Sequence, residues 1–283
     1  AWRAASLKLG LALGRDCLSM SGYRAGVALS IRQRVEQPEK GPSVTYARIE
    51  ARAPVSIGLS ARKRPASLGH LLHGPVGESC QVGVSTADAA FDSLVCVEAP
   101  LPSATAVLGF ETRKLLREVI IAGGLVEDGK VQGELEGTME VVAPKLMESI
   151  GACLELARRL SLKEEDTCAA LVTNAAVDPD LRVRRRNLEV LAHRFPLSAE
   201  TAKALDAALG AEDPRTAFDA ARLRKGPIER ECLTRLVTRA PGEIPALALQ
   251  FLLDEYPTAT LGAVVTMALE SEGFKVQSYT DGA

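Results

Sequence analysis

Two Asp-Pro steps, Asp178-Pro179 and Asp213-Pro214, stand 35 residues apart, and each opens an apolar run with helical period. The aspartate of such a step can accept from the free N–H groups of a starting helix. The proline fits the first helical position, where no N–H is needed. After the first step, Leu181, Val183, Leu188, Leu191 and Ala192 fall on one helical face, with Arg182, Arg184, Arg185 and Arg186 largely off it. Phe195-Pro196 ends that run, and Ser198 opens a helix carrying Ala202, Leu205, Ala208 and Leu209. After the second step come Ala217, Phe218, Ala221 and Leu223, then Ile228 to Val237, then helices over about 243–255 and 258–270. Helix pairs recurring at a period in the mid-thirties predict an α-solenoid, because one pair cannot hide its apolar flank without the next.

The recurring Asp-Pro, the Arg-rich helix start at Arg182–Arg186 and the Ala/Leu helices resemble HEAT-like repeats over about 100 of the 283 residues. The resemblance implies an extended protein-binding face. The competing architecture is a non-repetitive helical bundle.

The first half reads differently. Trp2, Ala5, Leu9 and Ala12 predict a helix over 2–13, closed by Gly14. Strand-like stretches follow. Ser19–Gly26 ends in a turn, Val27–Val35 and Val44–Ile49 flank a polar turn, and Val55, Ile57 and Leu59 alternate with small polar residues. Adjacent strands with short turns predict an antiparallel meander. A loop over 61–80 leads to a buried strand at Leu94–Val97 and helices near 103–108 and 111–122. Asp128-Gly129 between two apolar segments is the strongest hairpin signal in the chain. A long helix is expected from Pro144 to about Leu160. The expected organisation is an α+β domain with an antiparallel sheet over 1–160, an all-α HEAT-like domain over 161–272 and a polar tail over 273–283.

Ala1-Trp2-Arg3, Gly22-Tyr23-Arg24-Ala25-Gly26-Val27 and Ala90-Phe91-Asp92 resemble segments of an α+β domain found in bacterial, mainly myxobacterial-type, proteins. That resemblance implies a helical repeat tail and a membrane segment just upstream, and carries no activity. Ala1–Ala5 reads as the middle of a helix, so the chain is expected to continue before Ala1.

Charge is unevenly spread. Residues 1–64 carry net +8, residues 65–160 net −6 and residues 161–283 net −4. A basic leading segment suits an anionic neighbour, either lipid headgroups or an acidic protein. No run of about 20 apolar residues is present, so nothing here reads as a membrane span. The six cysteines are scattered without a close pair, which predicts buried free thiols in a reducing compartment. The expected location is cytoplasmic, near the inner face of a membrane.

Few residues carry catalytic chemistry. The chain has no G-x-G-x-x-G, P-loop, G-x-S-x-G or H-E-x-x-H. His70-x-x-His73 with Cys80 offers three metal ligands where zinc wants four. Asp88 and Asp92 share a helical face at spacing four, but their neighbours fit a cap or turn better than acid–base work. Arg182, Arg184, Arg185 and Arg186 form the one candidate interaction cluster. They could hold phosphates on a solenoid face, or lie solvated and paired with acids such as Glu189. The expectation is a non-enzymatic protein-interaction module whose partner is another protein, with no cofactor and no metal. The alternatives are a nucleic-acid-binding solenoid, disfavoured by the net −4 of its half, and an enzyme seated in the first domain.

Overall fold

The structure, a computed structural model, describes residues 2–16, 18–37, 41, 43–64, 84–137, 139–224 and 227–256. The chain divides into two compact units, Ala1–Val190 and Leu191–Ala283. The division falls inside a helix of the expected repeat region, not ahead of it.

The first unit is built on one antiparallel sheet of eight strands. They are β1 (Ala12–Leu13), β2 (Ser19–Arg24), β3 (Val27–Glu36), β4 (Val44–Arg52), β5 (Ser60–Lys63), β6 (Val95–Glu98), β7 (Leu125–Glu127) and β8 (Lys130–Gly137), in the spatial order β1-β2-β3-β4-β8-β7-β5-β6. β2, β3 and β4 form the expected meander, and β1, in a stretch expected to be helical, adds to its edge. The fifth does not continue it, because β8 takes the place beside β4 and β5 lies between β7 and β6. The expected strand at Val55–Leu59 is irregular. Gly58 sits at φ +68°, and the backbone on either side turns inward to bond Gly129, with Ala53 N–H donating to its carbonyl.

Two tight turns set the register. Asp128 and Gly129, at φ 47° and 72°, join β7 to β8, and Ala25 and Gly26, at φ 49° and 79°, join β2 to β3. Positive φ at both central residues gives the turn twist that matches twisted strands. Asp-Gly adopts it at low cost, whereas Ala25 holds a conformation that its Cβ disfavours.

Alternation sorts the strands by face. Leu29, Ile31, Ala47, Ile49, Ala51 and Val131 are fully buried and point to one side. Each large side chain so removed from water contributes about 1.5–3 kcal/mol before entropy is counted. That side is covered by α5 (Met139–Arg159), which packs on β3, β4 and β8 through Leu146, Ile150, Cys153 and Leu156. A Cβ at Gly133 would come within 2.9 Å of Cys153 Sγ, so glycine there lets the helix lie close. The helix begins before Pro144, which it carries inside, because the apolar stripe starts at Val142. At the amino end α1 (Trp2–Leu9) is shorter than expected. Gly10, at φ +67°, ends it, and Ala12 enters the sheet.

Three further helices of this unit precede the expected repeat region: the single turn α2 (Ala89–Asp92), α3 (Leu101–Val107) and α4 (Phe110–Ile121). A 3-10 turn, Glu164–Asp166, leads into α6 (Thr167–Val177), which packs against α3. The helix α7 (Leu181–Arg194) crosses the division between the units.

Among its described residues the second unit is helical. It contains α8 (Ala199–Leu209), α9 (Pro214–Arg224), α10 (Pro227–Arg239) and α11 (Ile244–Glu255). Ser198 caps α8 by accepting from Glu200 and Thr201 N–H groups, as its position predicts. Each of these helices packs on the next, and α9 also meets α11. Phe218 and Phe251 cross edge to face at 6.4 Å, and Leu209, Leu233 and Leu252 are buried. The helix expected over 258–270 and the tail lie outside the described residues.

Among the described residues no helix is long and apolar enough to cross a membrane. The cysteines depart from expectation. Among the described residues Cys153, Cys168 and Cys232 are free thiols, but Cys96 is disulfide-bonded. Scattered spacing hid it, since a bridge needs proximity in space and leaves no mark in sequence separation.

Candidate interaction site

The largest fully buried side chain among the described residues is that of Arg113, on the first turn of α4. Its side chain is 2% exposed, which a guanidinium tolerates only with its donors satisfied. Nε donates to Asp88 at 3.0 Å, and Nη1 donates to the Leu108 carbonyl at 2.9 Å. Nη1 and Nη2 donate to the two carboxylate oxygens of Asp178 at 2.8 and 3.1 Å. Burial works against the charge, yet Asp178 and then Asp88 more than offset it, and the Arg113 pKa stands above its usual value.

The partners are themselves held. Asp88 caps α2 by accepting from Phe91 N–H at 3.1 Å, and Asp92 accepts from Thr86 and Ser85. Both carboxylates therefore serve local structure. One turn before Asp178, Asn174 donates through Nδ2 to the Thr105 and Ala106 carbonyls at 3.3 and 2.8 Å, satisfying the last carbonyls of α3 at its buried C-terminal end. Gly109 makes room for it, since a Cβ there would lie 2.5 Å from the Asn174 amide oxygen. Asn174 and Asp178, four residues apart on α6, thus fasten that helix to the corner between α3 and α4.

This corrects the reading of the Asp-Pro repeat. Asp178 does not cap α7. It is the C-cap of α6 and gives its carboxylate to Arg113, while Asp180 accepts from Arg182 N–H at 2.8 Å and starts α7. At the second step Asp213 does cap, accepting from Thr216 N–H at 2.9 Å. The same dipeptide does two jobs.

Above this fastening lies an exposed apolar ridge. Phe110 is 44% exposed, Val177 68% and Leu181 41%, with Pro179 exposed among them. Two open cavities, of about 650 and 420 Å³, flank the ridge and share Phe110 and Pro179 as walls. Asp88, Asp180, Arg182 and Arg185 line the first, and Glu111, Arg159 and Asn174 the second. Three large apolar side chains from two chain segments, ringed by charge, have the composition of a protein-binding patch. Leu181 had read as a core position, but at the very start of α7 its face is not yet covered.

The arginine cluster is largely engaged within the chain. Arg182 pairs with Asp180 at 3.1 Å, Arg184 donates to the Asp178 carbonyl, and Arg186 pairs with Glu189 at 2.6 Å. Hydrogen bonding from Arg182 holds the Asp180 carboxyl below its usual pKa. Arg182 and Arg185 reach the site as lining of the larger cavity; Arg184 and Arg186 do not. His70, His73 and Cys80 lie outside the described residues, and among the described residues no group of acids, histidines and cysteines could hold a metal ion. Sequence reasoning missed Phe110, Arg113 and Asn174. The one available signal was Phe110 directly after a glycine at a helix start.

In comparisons with known proteins, the chain matches no family model, no curated protein sequence and no solved structure.

Proposed function

We propose that this chain is a non-enzymatic protein-interaction module that docks another protein on the ridge formed by Phe110, Val177, Pro179 and Leu181. The observation that carries the reading is the placement of an exposed apolar ridge directly over the buried Arg113–Asp178 pair. A surface whose backbone is already fixed loses little freedom when a partner arrives, which favours affinity. In this reading the layered helices of the second unit act as HEAT-like repeats. A nucleic-acid role for Arg182–Arg186 is weakened by the three arginines committed to acids or backbone. The Cys96 disulfide supports residence in an oxidising compartment rather than the cytoplasm.

Photo-crosslinking residues placed at 110, 177 and 181 in the native cells test the reading. The expected result is one discrete crosslinked protein shared by the three positions. Leu197 is the control, a solitary apolar side chain 99% exposed in the second unit. No crosslinked protein at the ridge, or the same bands from Leu197, would sink it.

A further inference from the structure

The face of the sheet opposite α5 carries a second feature. Cross-strand register puts Tyr23, Ala28, Arg52 and Lys130 in one row and Ser21, Ser30, Glu50 and Gln132 in the next. The outward residues of these rows surround a groove of about 460 Å³. Tyr23, 78% exposed, forms one wall, Arg52 and Lys130 form the other, and Ser21, Ala28 and Ser30 supply a floor of small side chains.

Arg52 directly opposite Lys130 is a locally unfavourable choice, because like charges facing each other across a ladder repel. No acid of the described residues pairs with either cation. Glu50, beside Arg52, is taken by Arg48 at 3.1 Å. Glu127 faces Lys130 across the turn without forming an ion pair. Departures from local rules without an internal remedy collect at functional sites.

We propose that this groove binds a small phosphate monoester carried on a ring, of the kind a phosphorylated sugar presents. A monoester has close to two negative charges at neutral pH, which matches two facing cations better than a carboxylate does. The Tyr23 face packs against the ring, and the hydroxyls of Ser21 and Ser30 bond its polar edge.

The test uses the whole chain, with glucose 6-phosphate as probe and glucose, glucuronate and inorganic phosphate as comparisons, read by calorimetry and thermal shift. Glucose 6-phosphate is expected to bind and to raise the melting temperature, glucose to do neither, and glucuronate to bind more weakly. Arg52→Gln and Lys130→Gln are each expected to weaken the sugar phosphate about tenfold or more, while the ligand-free proteins melt no lower than wild type. Tyr23→Ala is expected to weaken the sugar phosphate and leave inorganic phosphate unchanged. Equal affinity for glucose, undiminished binding by Lys130→Gln, or no binding at millimolar probe would overturn the proposal. Retention on vesicles of anionic lipid without binding of the free sugar phosphate would also overturn it, and would assign the face to a membrane.

Discussion

Arg113 and Asp178, 65 positions apart in the chain, meet in a two-pronged ion pair at 2.8 and 3.1 Å, with the Arg113 side chain 2% and the Asp178 side chain 0% exposed. Through this pair the end of α6 is fixed to the start of α4, so the first helix after residue 161 belongs to the sheet unit.

Removing one partner leaves the other charge buried and unpaired. Asp178→Asn and Arg113→Met are each expected to cost about 3–5 kcal/mol in urea denaturation. The double substitution Arg113→Met with Asp178→Asn is expected to recover part of that loss, because only Asp88, which is partly exposed and also caps α2, then lacks its cation. Additive single and double effects would mean that the two groups do not depend on each other.

Arg113 also shows where sequence reading stops. Local signals were legible: Asp128-Gly129 marked a hairpin, Ser198 a helix cap, and the period of Leu205, Leu209, Leu233 and Leu252 a helical unit. Each depends on neighbours within a few residues. Arg113 sits beside Lys114 and Arg117 on a helix that reads as amphipathic, and nothing local separates it from a surface arginine. Asp178 and Asp213 have the same proline after them, yet only the fold gives one of them a buried cation. The expected boundary near residue 160 missed this link for the same reason. The exposed state of Leu181 depends on which elements fail to cover it, and no periodicity reports that.

Ala25 holds φ 49° in the two-residue turn between β2 and β3. Ala25→Gly removes the Cβ conflict and is expected to stabilise the protein by about 1 kcal/mol, raising its urea midpoint. A lowered midpoint would mean that the turn does not hold this conformation.

Tyr256 closes α11 and donates its hydroxyl to Glu229. That bond and burial push the phenol up to about 12, from an ordinary 10.0. A raised pKa contributes stability that is present below the unfolded value and lost as pH rises through the folded one, here between pH 10 and 12. Among the four tyrosines, absorbance titration is expected to show a late phase that Tyr256→Phe removes. An unchanged titration in that variant would contradict the assignment.

A disulfide at Cys96 consumes two of the six cysteines. Thiol titration of the unfolded, unreduced protein is therefore expected to find at most four, rising to six after reduction. Six before reduction would restore the all-thiol reading and remove the support for an oxidising compartment.

The account stands or falls on the ridge over the Arg113–Asp178 pair. Its most direct measurement is the affinity of the protein crosslinked there, compared between wild type and Phe110→Asp. The expected result is a loss of about 30-fold or more, near 2 kcal/mol, with the melting temperature unchanged, because Phe110 is already half in water. Equal affinity in the two proteins would show that docking happens elsewhere.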